Sequence, residues 1–116
     1  MLISPYVIPG LPRTDVFHTC DRAFIFERIA HLSCAVNGIS FSELMGRSRY
    51  RPVIMGRCMV SRILRDIYNF SFSEIGRLMG GKHHTTILHH IGVHDSDMTV
   101  NSQGYRDKYF SLLKEI

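Results

Sequence analysis

The sequence has no tryptophan, only three cysteines and no long apolar run. Each shortage excludes something. No stretch approaches the ~20 apolar residues a membrane helix needs, so no membrane partner is expected. Met1-Leu2-Ile3-Ser4-Pro5 lacks a basic n-region and a long apolar core, so no secretory signal is expected. Cys20, Cys34 and Cys58 are odd in number and far apart. That fits a reducing cytoplasm and not a disulfide scaffold. The chain carries no phosphate loop, nucleophile elbow or paired-carboxylate site, and 116 residues leave no room for a nucleotide-hydrolysing domain plus a second module. Neither catalysis nor a cofactor is expected. Seven histidines raise the question of a metal, with His90 and His94 at i,i+4 spacing. The glutamate of H-E-x-x-H is missing and no cysteine lies beside the histidines, so no metal site is expected.

What remains is an ordinary globular composition, 45% hydrophobic and 21% charged, with a formal net charge of +4. The charge is unevenly placed. From Arg47 to Lys82 eight basic residues (Arg47, Arg49, Arg51, Arg57, Arg62, Arg65, Arg77, Lys82) face two acidic ones, Asp66 and Glu74, a net of +6; the rest of the chain nets −2. A basic middle in a slightly acidic molecule suggests a local surface for a polyanion, with a merely solvated face as the alternative.

Residues 1–16 read as an extended arm, because Pro5, Pro9, Gly10 and Pro12 interrupt any helix. Its apolar residues either lie against the body or belong to a disordered tail. Residues 17–116 read as one helical domain. A first helix is expected from about Thr19 to Val36, with Phe26, Ile29, Ala30 and Ala35 inward and Asn37-Gly38 as its stop. Ser40-Phe-Ser-Glu43 is a capping box opening a short helix to about Gly46. Arg47-Ser-Arg49-Tyr-Arg51 forms a basic loop, and Pro52 suits the first position of a long helix to about Tyr68. Along that helix Met55, Met59, Ile63 and Ile67 step by four on one face, the methionines as core fillers. Ser71-Phe-Ser-Glu74 is a second capping box, opening a helix from Ser73 to Met79 that Gly80-Gly81 ends. A further helix starts at Lys82-His83-His84-Thr85-Thr86, and Gly92 and 95–101 loosen the chain behind it. The last helix runs from Ser102 to Ile116 on a stripe of Tyr105, Tyr109, Leu112, Leu113 and Ile116. No strand pattern of useful length appears.

Short helix, glycine turn, second helix is the helix-turn-helix plan, within an all-α bundle of about six helices. The second helix of that plan enters the major groove by its N-terminal end. Lys82, His83, His84, Thr85 and Thr86 suit that place: lysine brings charge, histidine and threonine bring donors and acceptors, and the threonine methyl can touch thymine. A helix N-terminus also favours phosphate. The alternative is that a threonine only caps the helix and the histidines are surface polar groups. Arg49, in a short loop, is the kind of side chain that reaches an adjacent minor groove. Arg57 and Arg65 lie eight apart near one helix face, spaced to span backbone phosphates.

Ser71-Phe-Ser-Glu-Ile-Gly76 followed by Gly80-Gly-Lys-His-His-Thr-Thr-Ile-Leu-His89 closely resembles the C-terminal DNA-binding domain of the bacterial replication initiator DnaA, whose motif runs S-L-P-E-I-G and then F-G-G-R-D-H-T-T-V-L-H. The match runs without a gap from about Glu43 to His89. The resemblance implies a Trp-repressor-like helix-turn-helix fold and double-stranded DNA as partner. It implies a minor-groove arginine at Arg49, flanked by Arg47 and Arg51, and phosphate-holding cations at Arg57 and Arg65. It implies base-facing residues at His84 and Thr85, with Thr86 a neighbouring contact. Lys82 replaces an arginine, and His83 replaces the family's aspartate. The family's full-length initiator carries an ATPase domain for which this chain has neither room nor motif, so a free-standing relative is expected. It is expected to act as a replication or transcription regulator in the cytoplasm, associated with the nucleoid, with replication proteins as further partners. The competing expectation is an interaction module that keeps the fold and binds an acidic protein.

Overall fold

The structure is a computed structural model in which residues 15–99 and 103–116 are described. Six α-helices make up these residues: α1 (Asp15–Asn37), α2 (Phe41–Met45), α3 (Arg51–Asp66), α4 (Phe72–Leu78), α5 (His84–Thr99) and α6 (Gln103–Glu115). Among the described residues there is no strand, and no helix is long and apolar enough to cross a membrane. The expected arm lies outside the described residues except for Asp15 and Val16, which form the first turn of α1.

α3 is the central strut, packed against α1 on one side and α5 on the other. It is buried on nearly all faces, from Val53 through Cys58, Met59, Val60, Ile63 and Leu64. The stripe read from the sequence is only half of this. Met59 and Ile63 are buried, Met55 is partly so, and Ile67 is exposed because the helix ends at Asp66. Asn69 turns left-handed and the Phe70 amide reaches back to Leu64 O at 3.0 Å, which closes the helix end and sends Phe70 into the core. Gly38 ends α1 in the same way, with the Ile39 amide on Cys34 O. From position 22 on, the buried residues of α1 are Phe26, Ile29, Ala30, Ser33, Cys34 and Asn37; Ala35, expected inward, is exposed.

The Ser40 capping box is complete: Glu43 N donates to Ser40 Oγ at 3.0 Å and Ser40 N donates to Glu43 Oε1 at 3.0 Å. The second box is half formed. Ser71 Oγ accepts from Glu74 N, but the Glu74 carboxylate turns to Arg22 on α1, at 2.5 and 2.6 Å. A two-point charged bond to another helix outweighs one bond to a local amide. It anchors α4 to α1. α5 corrects a further expectation. It continues unbroken through Gly92 to Thr99, because Ile87, His90, Ile91 and His94 form a buried stripe along it. α6 packs across α1 and α5 through Tyr105, Tyr109 and Leu112.

Candidate nucleic-acid interface

The site is assembled around the C-terminal end of α2, where a short helix leaves carbonyls without intrahelical donors. Two cations supply those donors. Arg57, 5% exposed, donates from Nε to Leu44 O (2.9 Å), from Nη1 to Ser48 O (2.6 Å), and from Nη2 to Glu43 O (3.0 Å) and Gly46 O (2.8 Å). Lys82 donates from Nζ to Met45 O (3.2 Å), Gly46 O (2.9 Å) and Met79 O (3.1 Å). Burial pulls both groups below their usual pKa, and the charges of Arg57 and Arg47 add to this at Lys82. Arg57 was expected to hold a backbone phosphate and Lys82 to bring charge to the start of the second helix. In the structure all three ammonium protons of Lys82 and four of the five guanidinium protons of Arg57 have carbonyl acceptors.

This arrangement staples the basic loop to the helix-turn-helix. The glycine turn approaches the end of α2 so closely that a Cβ on Gly80 would lie 2.2 Å from Met45 O, and one on Gly76 would lie 2.1 Å from Lys82 O. Gly80 and Gly81 both have positive φ, +78° and +75°. The turn is closed by Lys82 N donating to Gly76 O at 2.7 Å.

Above this platform Arg47 and Arg49 are exposed, and Tyr50, the residue preceding α3, is 65% exposed. Arg51 is the first residue of α3, 4.0 Å from Asp97 of α5, with its side chain 68% exposed. Across from the loop, α5 begins at His84, so Lys82 and His83 precede it. His83 is the cap. Its carbonyl accepts from Thr86 N and Ile87 N, and its ring Nδ1 accepts from Thr85 N at 3.2 Å. Thr85 Oγ1 lies 2.8 Å from the same nitrogen, and the His83 and His84 rings meet at 4.2 Å between centroids, tilted by 34°. His84 and Thr85 are exposed and Thr86 is half-buried. The helix is thus capped by a histidine rather than by a threonine.

Between loop and helix lies a cleft of about 620 Å³, whose lining holds four cationic residues, Arg47, Arg49, Arg57 and Lys82, with Thr86 and two histidines, the apolar Met45 and Ile54, and no acidic side chain. Of the expected site residues it gathers Arg47, Arg49, Arg57, Lys82 and Thr86; His83, His84 and Thr85 stand at the adjoining end of α5. Arg65 is not brought in. It lies near the C-terminal end of α3, donates to Phe70 O at 3.1 Å and rests on the Phe72 ring at 4.4 Å. The cleft also contains His89 and His90, which sequence reasoning left out. His89 falls three residues after Thr86, a spacing that puts both on one helix face. His90 is buried, its Nδ1 meets no partner among the described residues, and burial, then the Arg57 charge, pushes its pKa down to about 4. No group of histidine, cysteine or acidic residues among the described residues is placed to hold a metal ion.

A basic loop stapled to the N-terminal end of a helix-turn-helix second helix is a nucleic-acid-binding geometry, and comparison with known proteins gives it a family. The model of the bacterial DnaA protein helix-turn-helix matches residues 26–93, more than half of the chain. The chain belongs to the bacterial DnaA helix-turn-helix family. The match spans the exposed loop, the glycine turn and the start of α5. Among curated relatives, the chromosomal replication initiator protein DnaA of Thermomicrobium roseum is 36% identical over 54% of this chain and 14% of the relative. That of Methylobacillus flagellatus is 31% identical over 65% of the chain and 16% of the relative, and that of Cereibacter sphaeroides 29% identical over 77% and 20%. The chain therefore spans about a seventh to a fifth of the DnaA proteins it matches. No solved structure matches it. The DnaA helix-turn-helix family is one of DNA-binding domains, and the all-helical fold of the described residues agrees with it.

Proposed function

We propose that this protein binds double-stranded DNA sequence-specifically, as a regulator of replication or transcription that competes for sites of the replication initiator. The loop carrying Arg47, Arg49 and Arg51 enters the minor groove. The first residues of α5 — His83, His84, Thr85 and Thr86 — face the adjacent major groove. One observation carries the reading: the exposed basic loop and the start of α5 are fastened to one platform by Arg57 and Lys82, with a cationic cleft between them. Two elements reading neighbouring grooves must straddle one phosphate backbone, and a cleft without acidic residues accommodates it. Arg65, partly exposed at the far end of α3, adds a backbone contact. The cell compartment this implies is the cytoplasm, at the nucleoid, where replication proteins are its further partners.

Duplex binding measured against salt tests this. With Arg57 and Lys82 engaged internally, about four cations remain for phosphates, and log K against log salt should slope near −3 to −4. A slope near zero, or no duplex binding at low salt, would overturn the reading and favour an acidic protein partner. Arg49→Ala should weaken preferred sites by roughly 1–3 kcal/mol more than random duplex, because a minor-groove arginine also reads groove width. Arg65→Ala should weaken all duplexes alike.

A further inference from the structure

We infer that His83 reads the DNA as a hydrogen-bond donor, through Nε2–H, and selects guanine at the base pair it meets. The inference rests on the DNA-binding reading above and adds the chemistry of one position.

The tautomer follows from the cap. A backbone N–H can only donate, and Thr85 N is aimed at His83 Nδ1 at 3.2 Å. That nitrogen must therefore carry its lone pair, and the single proton of the neutral ring sits on Nε2. The Thr85 hydroxyl, 2.8 Å away, turns to donate to the same atom. The His84 ring lies against that of His83, tilted by 34° with centroids 4.2 Å apart. The side chain is exposed, and among the described residues Nε2 has no assigned hydrogen bond, so Nε2–H is the polar group that the fold does not use.

A donor at the major-groove edge is met by guanine, whose N7 and O6 lie side by side as acceptors. Cytosine offers N4–H there and repels it. A carboxylate at the same position inverts the choice, because it only accepts. His83 thus has two separable roles: Nδ1 caps the helix, and Nε2–H reads the groove.

Four proteins separate these roles: the wild type, His83→Asp, His83→Asn and His83→Ala. Aspartate keeps an acceptor for the cap but has no donor. Asparagine keeps both. Alanine keeps neither. Each is used to select sites from a random duplex pool, and each is melted to check the helix cap. The wild type and His83→Asn should share a consensus with guanine at one position. His83→Asp should keep the wild-type melting temperature yet lose that guanine preference by about tenfold or more, a range one base contact supplies. His83→Ala should lose the preference and melt lower. Long-range ¹⁵N–¹H spectra of the free wild type should show the Nε2–H tautomer of His83.

An Nδ1–H tautomer would overturn the inference. So would an unchanged consensus in His83→Asp, or an equal loss of affinity on every duplex, which would make Nε2–H a phosphate contact. If the wild type enriches no sequence at all, the broader DNA reading fails with it, whereas a changed reader on an intact binder touches only His83.

Discussion

Lys82 gives all three of its ammonium protons to carbonyls of the α2 end and of Met79. Gly46 O receives Lys82 and Arg57 together, so the two cations and one helix end form a single joint. Hydrogen bonds to a charged group are worth about 1.5–3 kcal/mol each, and the cost of burying the ammonium offsets much of their sum. Lys82→Met should therefore lower stability to urea by ~1–3 kcal/mol, while the salt dependence of duplex binding keeps its slope. Binding to a preferred site should fall more than binding to random duplex, because the loop loses its position relative to α5. A shallower salt slope with unchanged stability would instead make Lys82 a phosphate ligand. The basic loop and the polar start of α5 were legible in the sequence because exposed polar groups at a turn have few other uses. The tasks of Arg57 and Lys82 were not. Their partners are backbone carbonyls up to 37 residues away, and a carbonyl carries no side-chain signature.

The glycines separate sequence signals that look alike and differ in physics. Gly80-Gly81 reads correctly as the turn, but only contact distances rank its two members. Gly80→Ala combines a positive φ with a Cβ 2.2 Å from Met45 O, so the turn must move off the end of α2; a loss above ~3 kcal/mol is expected, in the range of strained and overpacked sites. Gly81→Ala has the same handedness but nothing within 4 Å, and should lose only about 1–2 kcal/mol. Gly92 was read as a break, yet it lies inside α5 with open space around it. Gly92→Ala should raise stability by roughly 0.5–1 kcal/mol. Melting the three variants checks the order, and a Gly81→Ala as damaged as Gly80→Ala would refute the close approach of the turn to the end of α2. The helix-turn-helix itself was legible because caps and glycines are local signals. The length of α5 was not, because its continuity depends on a stripe buried against α3 and α6, and packing of that kind overrides one unfavourable residue. The same reason explains Glu74, whose local role in a capping box yields to Arg22, 52 residues away.

At the scale of the whole molecule, net positive charge and seven histidines argue that acid strengthens attraction to a polyanion, but two of those histidines are folded into the core. His90 is 6% exposed, and its folded pKa is pushed down to about 4 by burial first and by the nearby Arg57 charge second. His94 is lowered as well, again mainly by burial, and holds Tyr105 through Nδ1 at 2.5 Å. In the unfolded chain a histidine titrates near 6.5. Between that value and about 4 the unfolded state binds the proton and the folded state does not, so stability is complete above about pH 6.5 and is lost as the pH falls towards 4. At ~1.4 kcal/mol per unit, His90 alone accounts for up to about 3 kcal/mol, a large part of a small domain's stability. Glu74, whose pKa the Arg22 bond lowers, acts in a separate and more acid window, below its unfolded value near 4.3. Urea midpoints at pH 7, 6, 5 and 4.5 should therefore fall steadily for the wild type. His90→Leu removes both the titration and a buried nitrogen without a partner, so its midpoint at pH 7 should be equal or higher and its decline shallower by about the His90 share. Parallel curves for the two proteins would mean that His90 titrates alike in both states. Duplex binding near pH 5 should then follow the fraction folded, weakening where a purely electrostatic surface would bind more tightly.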